Sequence, residues 1–159
     1  MYRIYIETPI NAPQERAFDM SRSIDFHSAS MNDSKEIAVA GRMSGLFELG
    51  EFVEWEATHL FVRQRLASKC TEMVRPRYFV DEMVHGAFKS FHHRHEIKKI
   101  DDNQVVMIDD FRYETPFGIF GKVAYHVFLK RYLEKMLMDR CVAIKNALET
   151  DEWKKFLAQ

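Results

Sequence analysis

The sequence predicts an α+β fold: an antiparallel sheet of about seven strands, two short helices between the first and second strands, and one long C-terminal helix. Three observations lead there. Between Lys35 and Thr115 apolar residues recur with a period of two in runs separated by turn signals, the alternation that sends successive side chains to opposite faces of a strand. These runs follow one another with no helical segment between them, so neighbours pair antiparallel through hairpins. From Phe117 to about Glu149 the spacing changes to three and four, which describes one amphipathic helix.

Each element has its own signal. Tyr2 to Ile10 alternates as a first strand. Asn11-Ala12-Pro13-Gln14-Glu15 then reads as a helix start, with Asn11 as cap, Pro13 in the first turn and an acid near the positive end of the helix dipole; this helix runs to about Met20. Ser23 to Ser30 suits a second short helix. Strands follow over Glu36–Ala40, Glu51–His59, Val62–Val74, Tyr78–His85, Ser90–Ile100 and Val105–Thr115, punctuated by Gly41 to Gly50, Arg75-Pro76, Gly86 and Asp101-Asp102-Asn103. The inward faces read Val53, Trp55, Ala57 and His59; Val62, Gln64, Leu66, Ser68 and Cys70; and Phe79, Asp81 and Met83, with Val80 and Val84 competing for the core on that last strand. The long helix carries its apolar stripe on Phe120, Ala124, Val127, Leu129, Leu133, Met136, Leu137, Cys141, Ile144 and Leu148. Trp153, Phe156 and Leu157 extend it or pack as a terminal staple. No repeat, low-complexity stretch or linker interrupts the chain, and residues 1–159 are expected to form one domain.

Composition narrows the function. The chain has 159 residues, a length at which roughly 70% of the unfolded surface is buried on folding. With 23 basic against 24 acidic residues and no long basic run, no field favours a polyanion, and nucleic-acid binding is not expected. The N-terminus lacks a signal-peptide core and no stretch of about 18 apolar residues occurs, so stable membrane insertion is not expected and a cytoplasmic location is. Cys70 and Cys141 stand far apart without metal-type spacing and read as two reduced thiols. The 13 Phe and 9 Met supply large, adaptable apolar side chains of the kind that fill a core or line a ligand cavity.

Two strands break the apolar rule on one face. Phe91, His93 and His95 alternate with His92, Arg94, Glu96 and Lys98, and Asp109, Phe111 and Tyr113 alternate with Asp110, Arg112 and Glu114. The second member of each pair of faces is solvent-like, which turns the histidines and Asp109 inward. An unpaired polar group costs roughly 2 to 7 kcal/mol in an apolar interior, so these side chains either satisfy one another or border a cavity holding water or a ligand. His93, His95, Asp109, Asp81 and His59 are the candidates for such a network. A His-x-His pair on a strand is also how some metal sites present two ligands, with Asp109 or His59 as a third. No His-Glu-x-x-His or cysteine pair accompanies it, so neither a metal nor a cofactor is expected from the spacing.

Ile10-Asn11-Ala12-Pro13-x-Glu15-x-Ala17-Phe18 resembles the opening signature of the START-like superfamily, which includes polyketide cyclases, plant hydrophobic-ligand carriers and lipid-transfer domains. The body resembles one bacterial, cyclase-like branch of it, labelled SRPBCC and of unknown function, through Trp55-x-Ala57-x-His59, Phe79-Val80-Asp81-Glu82-x-x-x-Gly86-x-Phe88, Phe91-x-His93-x-His95, and Asp109-x-Phe111-x-Tyr113-x-x-Pro116-x-Gly118-x-x-Gly121. Phe91 stands where that branch carries Trp. The resemblance spans nearly the whole chain and implies a helix-grip fold, in which a curved sheet wraps around the last helix and leaves a cavity between them. It implies a hydrophobic or amphipathic ligand there, such as a lipid, polyketide or aromatic metabolite; enzyme activity does not carry over with the fold.

The expected binding residues are Trp55, His59, Phe79, Asp81, Met83, Phe91, His93, His95, Asp109, Phe111, Tyr113, Phe128 and Met136. One alternative is a cyclase or dehydratase in which His93, His95 or Asp109 removes an acidic proton while Tyr113 donates to the developing oxyanion. Another is a protein-interaction module with a vestigial cavity. The partner expected first is the small hydrophobic ligand; a homo-oligomer is compatible with the sequence.

Overall fold

The computed structural model describes residues 1–31, 33–116 and 122–157. In chain order its elements are β1 (Tyr2–Ile10), α1 (Gln14–Ser21), α2 (Ile24–Ser30), β2 (Ile37–Gly41), β3 (Phe52–His59), β4 (Val62–Val74), β5 (Tyr78–His85), β6 (Ser90–Asp101), β7 (Gln104–Glu114), α3 (Lys122–Leu148) and α4 (Lys154–Leu157). The seven strands form one antiparallel sheet in the order β1-β7-β6-β5-β4-β3-β2. Strands two to seven therefore pair as consecutive hairpins, as their close spacing implies, while β1 crosses over to pair with β7.

α2 starts as the sequence suggests, with the Ser23 side chain accepting from the Phe26 amide. α1 starts differently. Its cap position is Pro13, which makes no side-chain capping bond, and Asn11 instead donates its backbone N–H to Glu149 Oε1 at 2.8 Å. The expected Asn cap is thus replaced by a tie between the first strand's end and the end of α3. The first residues expected in the long helix, Phe117 to Gly121, and the motif glycines Gly118 and Gly121 lie outside the described residues.

Two apolar clusters hold the sheet to the helices. In one, Phe18 and Met20 of α1 and Ile24 and Phe26 of α2 pack with Ile97, Met107, Ile144 and Leu148. Trp153, Phe156 and Leu157 do not prolong α3 but fold back onto this cluster as a staple, Phe156 meeting Phe26 edge to face at 5.2 Å. In the other, Leu129, Leu133 and Leu137 of α3 pack against Ile4, Phe91, Phe111 and Tyr113 of the sheet. One helix therefore serves both clusters with different turns of the same stripe. Val127, expected on that stripe, is exposed, and so is Val62, which sits at the tip of the β3–β4 hairpin beyond the reach of the core. Val80 is buried along with Phe79. That hairpin turns on Leu60 and Phe61, both at positive φ (52° and 66°), the conformation a two-residue turn needs to match strand twist.

Candidate functional site

A cavity of about 240 Å³ lies between the sheet and α3. Its walls come from β3 (Val53, Trp55, Ala57, His59), β4 (Gln64, Leu66, Ser68), β5 (Phe79, Asp81), β6 (Phe91, His93, His95), β7 (Phe111) and α3 (Leu129, Tyr132, Leu133, Met136, Leu137, Arg140). The lining residues that reach the surface are Leu60, Ala87 and Pro116. They place its mouth between the β3–β4 hairpin, the β5–β6 loop and the segment that leads to α3.

The first polar group in this wall follows from strand register. Asp81 pairs with His93, and His95 pairs with Asp109, so the alternation puts all four side chains on the concave face. His93 Nε2 lies 3.0 Å from Asp109 Oδ1 and His95 Nε2 lies 2.9 Å from Asp81 Oδ1. His95 Nδ1 approaches the same Asp109 oxygen at 3.2 Å, off the line that a hydrogen bond needs. The two imidazoles lie tilted by 39° with centroids 3.7 Å apart, and Phe79 stacks on His95 at 4.3 Å. From α3, Arg140 Nη1 donates to Asp109 Oδ1 at 3.1 Å and Nη2 to the Ser21 carbonyl at 2.8 Å, while Cys141 Sγ donates to Asp109 Oδ2 at 3.3 Å.

Burial would push the Asp109 carboxyl up, but the hydrogen bond from His93, the close His95 ring and the Arg140 charge outweigh it and hold this group well below the usual carboxylate range. Asp81 is lowered on the same balance, with His95 and Ser68 as its partners. Burial and the neighbouring His95 charge push His93 down to about 4, against the pull of Asp109. His95 is opposed by burial yet raised by its two carboxylates. At neutral pH His93 is therefore a neutral imidazole. Because ionised Asp109 only accepts, the His93 proton sits on Nε2 and leaves the Nδ1 lone pair free. Burial drives the Cys141 thiol up to about 12, which makes it an inert donor rather than a nucleophile.

A second polar group lines the other flank. Glu36, buried just before β2, meets His27 Nε2 at 2.6 Å through Oε2 and accepts from Ser34 Oγ at 3.0 Å through Oε1. His59 Nε2 lies 3.6 Å from Glu36 Oε1, and its Nδ1 shares a hydrogen bond of 2.8 Å with Tyr132 Oη. His27 leans on the Trp55 ring at 4.2 Å. Burial raises the Glu36 carboxyl, but His27, His59 and Ser34 together leave it below its ordinary value.

Of the residues singled out in the sequence, Trp55, His59, Phe79, Asp81, Phe91, His93, His95, Phe111 and Met136 line the cavity. Four do not. Asp109, only 1% exposed, lies behind the histidines, covered by His93, His95 and Arg140. Tyr113 packs with Tyr2, Phe88 and Phe111, and its buried hydroxyl has no hydrogen-bond partner among the described residues. The phenol that faces the cavity is Tyr132, not Tyr113. Met83 packs half-buried against the second apolar cluster. Phe128 is 55% exposed, because it stands one residue, about 100° around the helix, from the inward Leu129. The sequence reading passed over Glu36, His27, Tyr132, Arg22 and Arg140, all of which line the cavity. Only Arg140 carried a readable signal: it lies three residues after Leu137 and four before Ile144, on the buried stripe.

A sheet curved around a long C-terminal helix, with a cavity between and two short helices after the first strand, is the helix-grip fold. No family model and no curated protein matches the chain. Solved structures do. A START superfamily protein from Mycobacterium smegmatis is similar with TM-score 0.72 at 10% identity, over 94% of this chain and 98% of that one. The Zhui aromatase/cyclase from Streptomyces sp. R1128 gives 0.69 at 12% identity, over 93% of each chain. Major latex-like protein 151 from Panax ginseng gives 0.62 at 13% identity, over 92% and 97%. At such identities the likeness is one of fold. Among the described residues, no helix is long and apolar enough to cross a membrane.

Proposed function

We propose that this protein binds one small hydrophobic or amphipathic molecule, of the size of a lipid chain segment, polyketide or aromatic metabolite, in the cavity between sheet and α3. The observation that carries this is the cavity itself, about 240 Å³ and walled more by apolar than by polar side chains, Leu and Phe foremost. An apolar cavity of roughly 150 Å³ already admits a benzene-sized guest. The apolar body of the ligand rests on Leu66, Phe91, Phe111, Leu133 and Met136, and its polar end meets His93, His95 and Asp81. Asp109 does not touch the ligand but fixes the histidines. The solved structures of similar fold include an aromatase/cyclase, which agrees with an aromatic or polyketide guest.

Native mass spectrometry of the purified protein tests this directly. One retained organic mass, or saturable one-to-one uptake of an anilinonaphthalene sulfonate probe, is the expected result, and Ala57→Phe, which fills the cavity, abolishes it. Uptake that is undiminished in a folded Ala57→Phe protein places the guest elsewhere and defeats the proposal.

A second reading has its own observation. A neutral imidazole, His93, backed by a carboxylate in a cavity wall is a general base in waiting, which keeps a cyclase or dehydratase step open. In that reaction Tyr132, through His59, takes the oxyanion role that the sequence assigned to Tyr113. Turnover of an aromatic polyketone that persists in His93→Gln excludes His93 as the base.

A further inference from the structure

Asp81, His93 and His95 form a compact donor set on two adjacent strands. One nitrogen of each ring and one carboxylate oxygen of Asp81 all lie within 4.8 Å of one another. Metal bonds to histidine nitrogen and aspartate oxygen are about 2.0 to 2.2 Å long, so two neighbouring donors stand about 3 Å apart around an octahedral ion and about 3.4 Å apart around a tetrahedral one. His95 Nε2 and Asp81 Oδ1 are 2.9 Å apart. The spacing seen between hydrogen-bonded partners is the one that adjacent ligands require.

The far sides of the rings are arranged to match. Asp109 Oδ1 hydrogen-bonds His93 Nε2 at 3.0 Å and stands 3.2 Å from His95 Nδ1, off line, so the carboxylate faces one nitrogen of each ring and leaves the other nitrogen of each for a cation. A carboxylate behind the imidazole is how ligand histidines are oriented and made more basic. Charge agrees too. Arg140 is engaged with Asp109 and the Ser21 carbonyl, whereas Asp81 has no Lys or Arg partner among the described residues, only the two imidazoles and Ser68 beside it. Asp81, His93 and His95 border the cavity, while Asp109 does not.

We propose that Asp81, His93 and His95 bind one divalent first-row transition-metal ion, Zn²⁺ or Fe²⁺, with Asp109 as the positioning residue and the remaining coordination positions open to the cavity. Two imidazoles and one carboxylate with open positions suit these ions, whereas Mg²⁺ and Ca²⁺ demand oxygen donors. The sequence expectation of a third ligand from Asp109 or His59 is replaced by Asp81, which β5 brings alongside His93. Ion binding requires no organic guest, so its failure leaves the ligand reading of the cavity intact, and the converse holds.

The experiment uses the full chain, stripped with a chelator and titrated with Co²⁺ as a visible probe. One equivalent develops d–d absorption that Zn²⁺ displaces; Asp81→Asn and His95→Gln lose the band, and His85→Gln, at an exposed histidine, keeps it. No saturable band at one equivalent, or a band retained in His95→Gln or lost in His85→Gln, overturns the assignment. Because His95→Gln removes a buried partner, thermal unfolding of the unaltered protein provides a second readout. Zn²⁺ raises its midpoint and chelator reverses the rise; an unchanged midpoint at saturating Zn²⁺ overturns the proposal as well.

Discussion

The two polar groups on opposite flanks of the cavity solve the same problem differently. Around Asp109 a buried guanidinium from α3 and two strand-borne imidazoles surround a carboxylate that never reaches solvent. Around Glu36 the opposing groups are two histidines, a serine and, beyond His59, a phenol, with no Lys or Arg among the described partners. The first group carries a permanent cation and is set by the fold. In the second, among the described residues, no permanent cation faces Glu36, and its partners are imidazoles and a hydroxyl.

Four substitutions break or sharpen this contrast, in falling order of effect. Asp109→Asn keeps one acceptor oxygen but removes the negative charge that Arg140 and the histidines share, and breaking a buried charge pair costs about 3 to 5 kcal/mol; urea unfolding at neutral pH reads the loss. Glu36→Gln keeps its shape and some of its hydrogen bonds, so its cost at neutral pH is about 1 to 3 kcal/mol. Should it equal that of Asp109→Asn in the same titration, the two groups are equivalent and the distinction fails.

The same variant has a pH signature. The Glu36 carboxyl is lowered in the folded state from an ordinary value of 4.5, so its contribution is present above that value and fades as pH falls through the folded one. Glu36→Gln therefore flattens the acid limb of stability below about pH 4.5, and an unaltered limb refutes the pairing. Tyr132→Phe removes one hydrogen bond to His59 and costs about 1 kcal/mol. Phe128→Ala, on the exposed side of α3, stays within about 0.5 kcal/mol of the parent and leaves uptake of the naphthalene probe unchanged; a larger effect returns Phe128 to the cavity wall.

How legible these groups were follows from where their members sit. His93, His95 and Asp109 stand at alternate positions of long strands, so parity alone turned them inward, and the register then brought Asp81 to their side. Strand limits were readable for the same reason: β1, β4 and β5 match the alternating runs residue for residue. Glu36, His27, His59 and Tyr132 come from a loop, a short helix, a strand end and the long helix, and no local period links them. Arg140 was legible from its place on the helical stripe, but a charge there reads as solvent-facing until its partner on β7 is known. The Asn11 cap failed because α1 begins three residues later, after Pro13, and the Asn11 side-chain oxygen accepts from Gln104, a residue distant in sequence.

The crossover that pairs Tyr2 with Tyr113 and Ile10 with Val105 has a kinetic consequence. During synthesis the first strand must wait for the seventh, while β2 through β6 can zip up as successive hairpins. Loop closure over nearly the whole sheet precedes any gain from that pairing, and such non-local topology belongs with domains that fold in milliseconds to seconds rather than microseconds. The strand made first is thus among the last to find its neighbour.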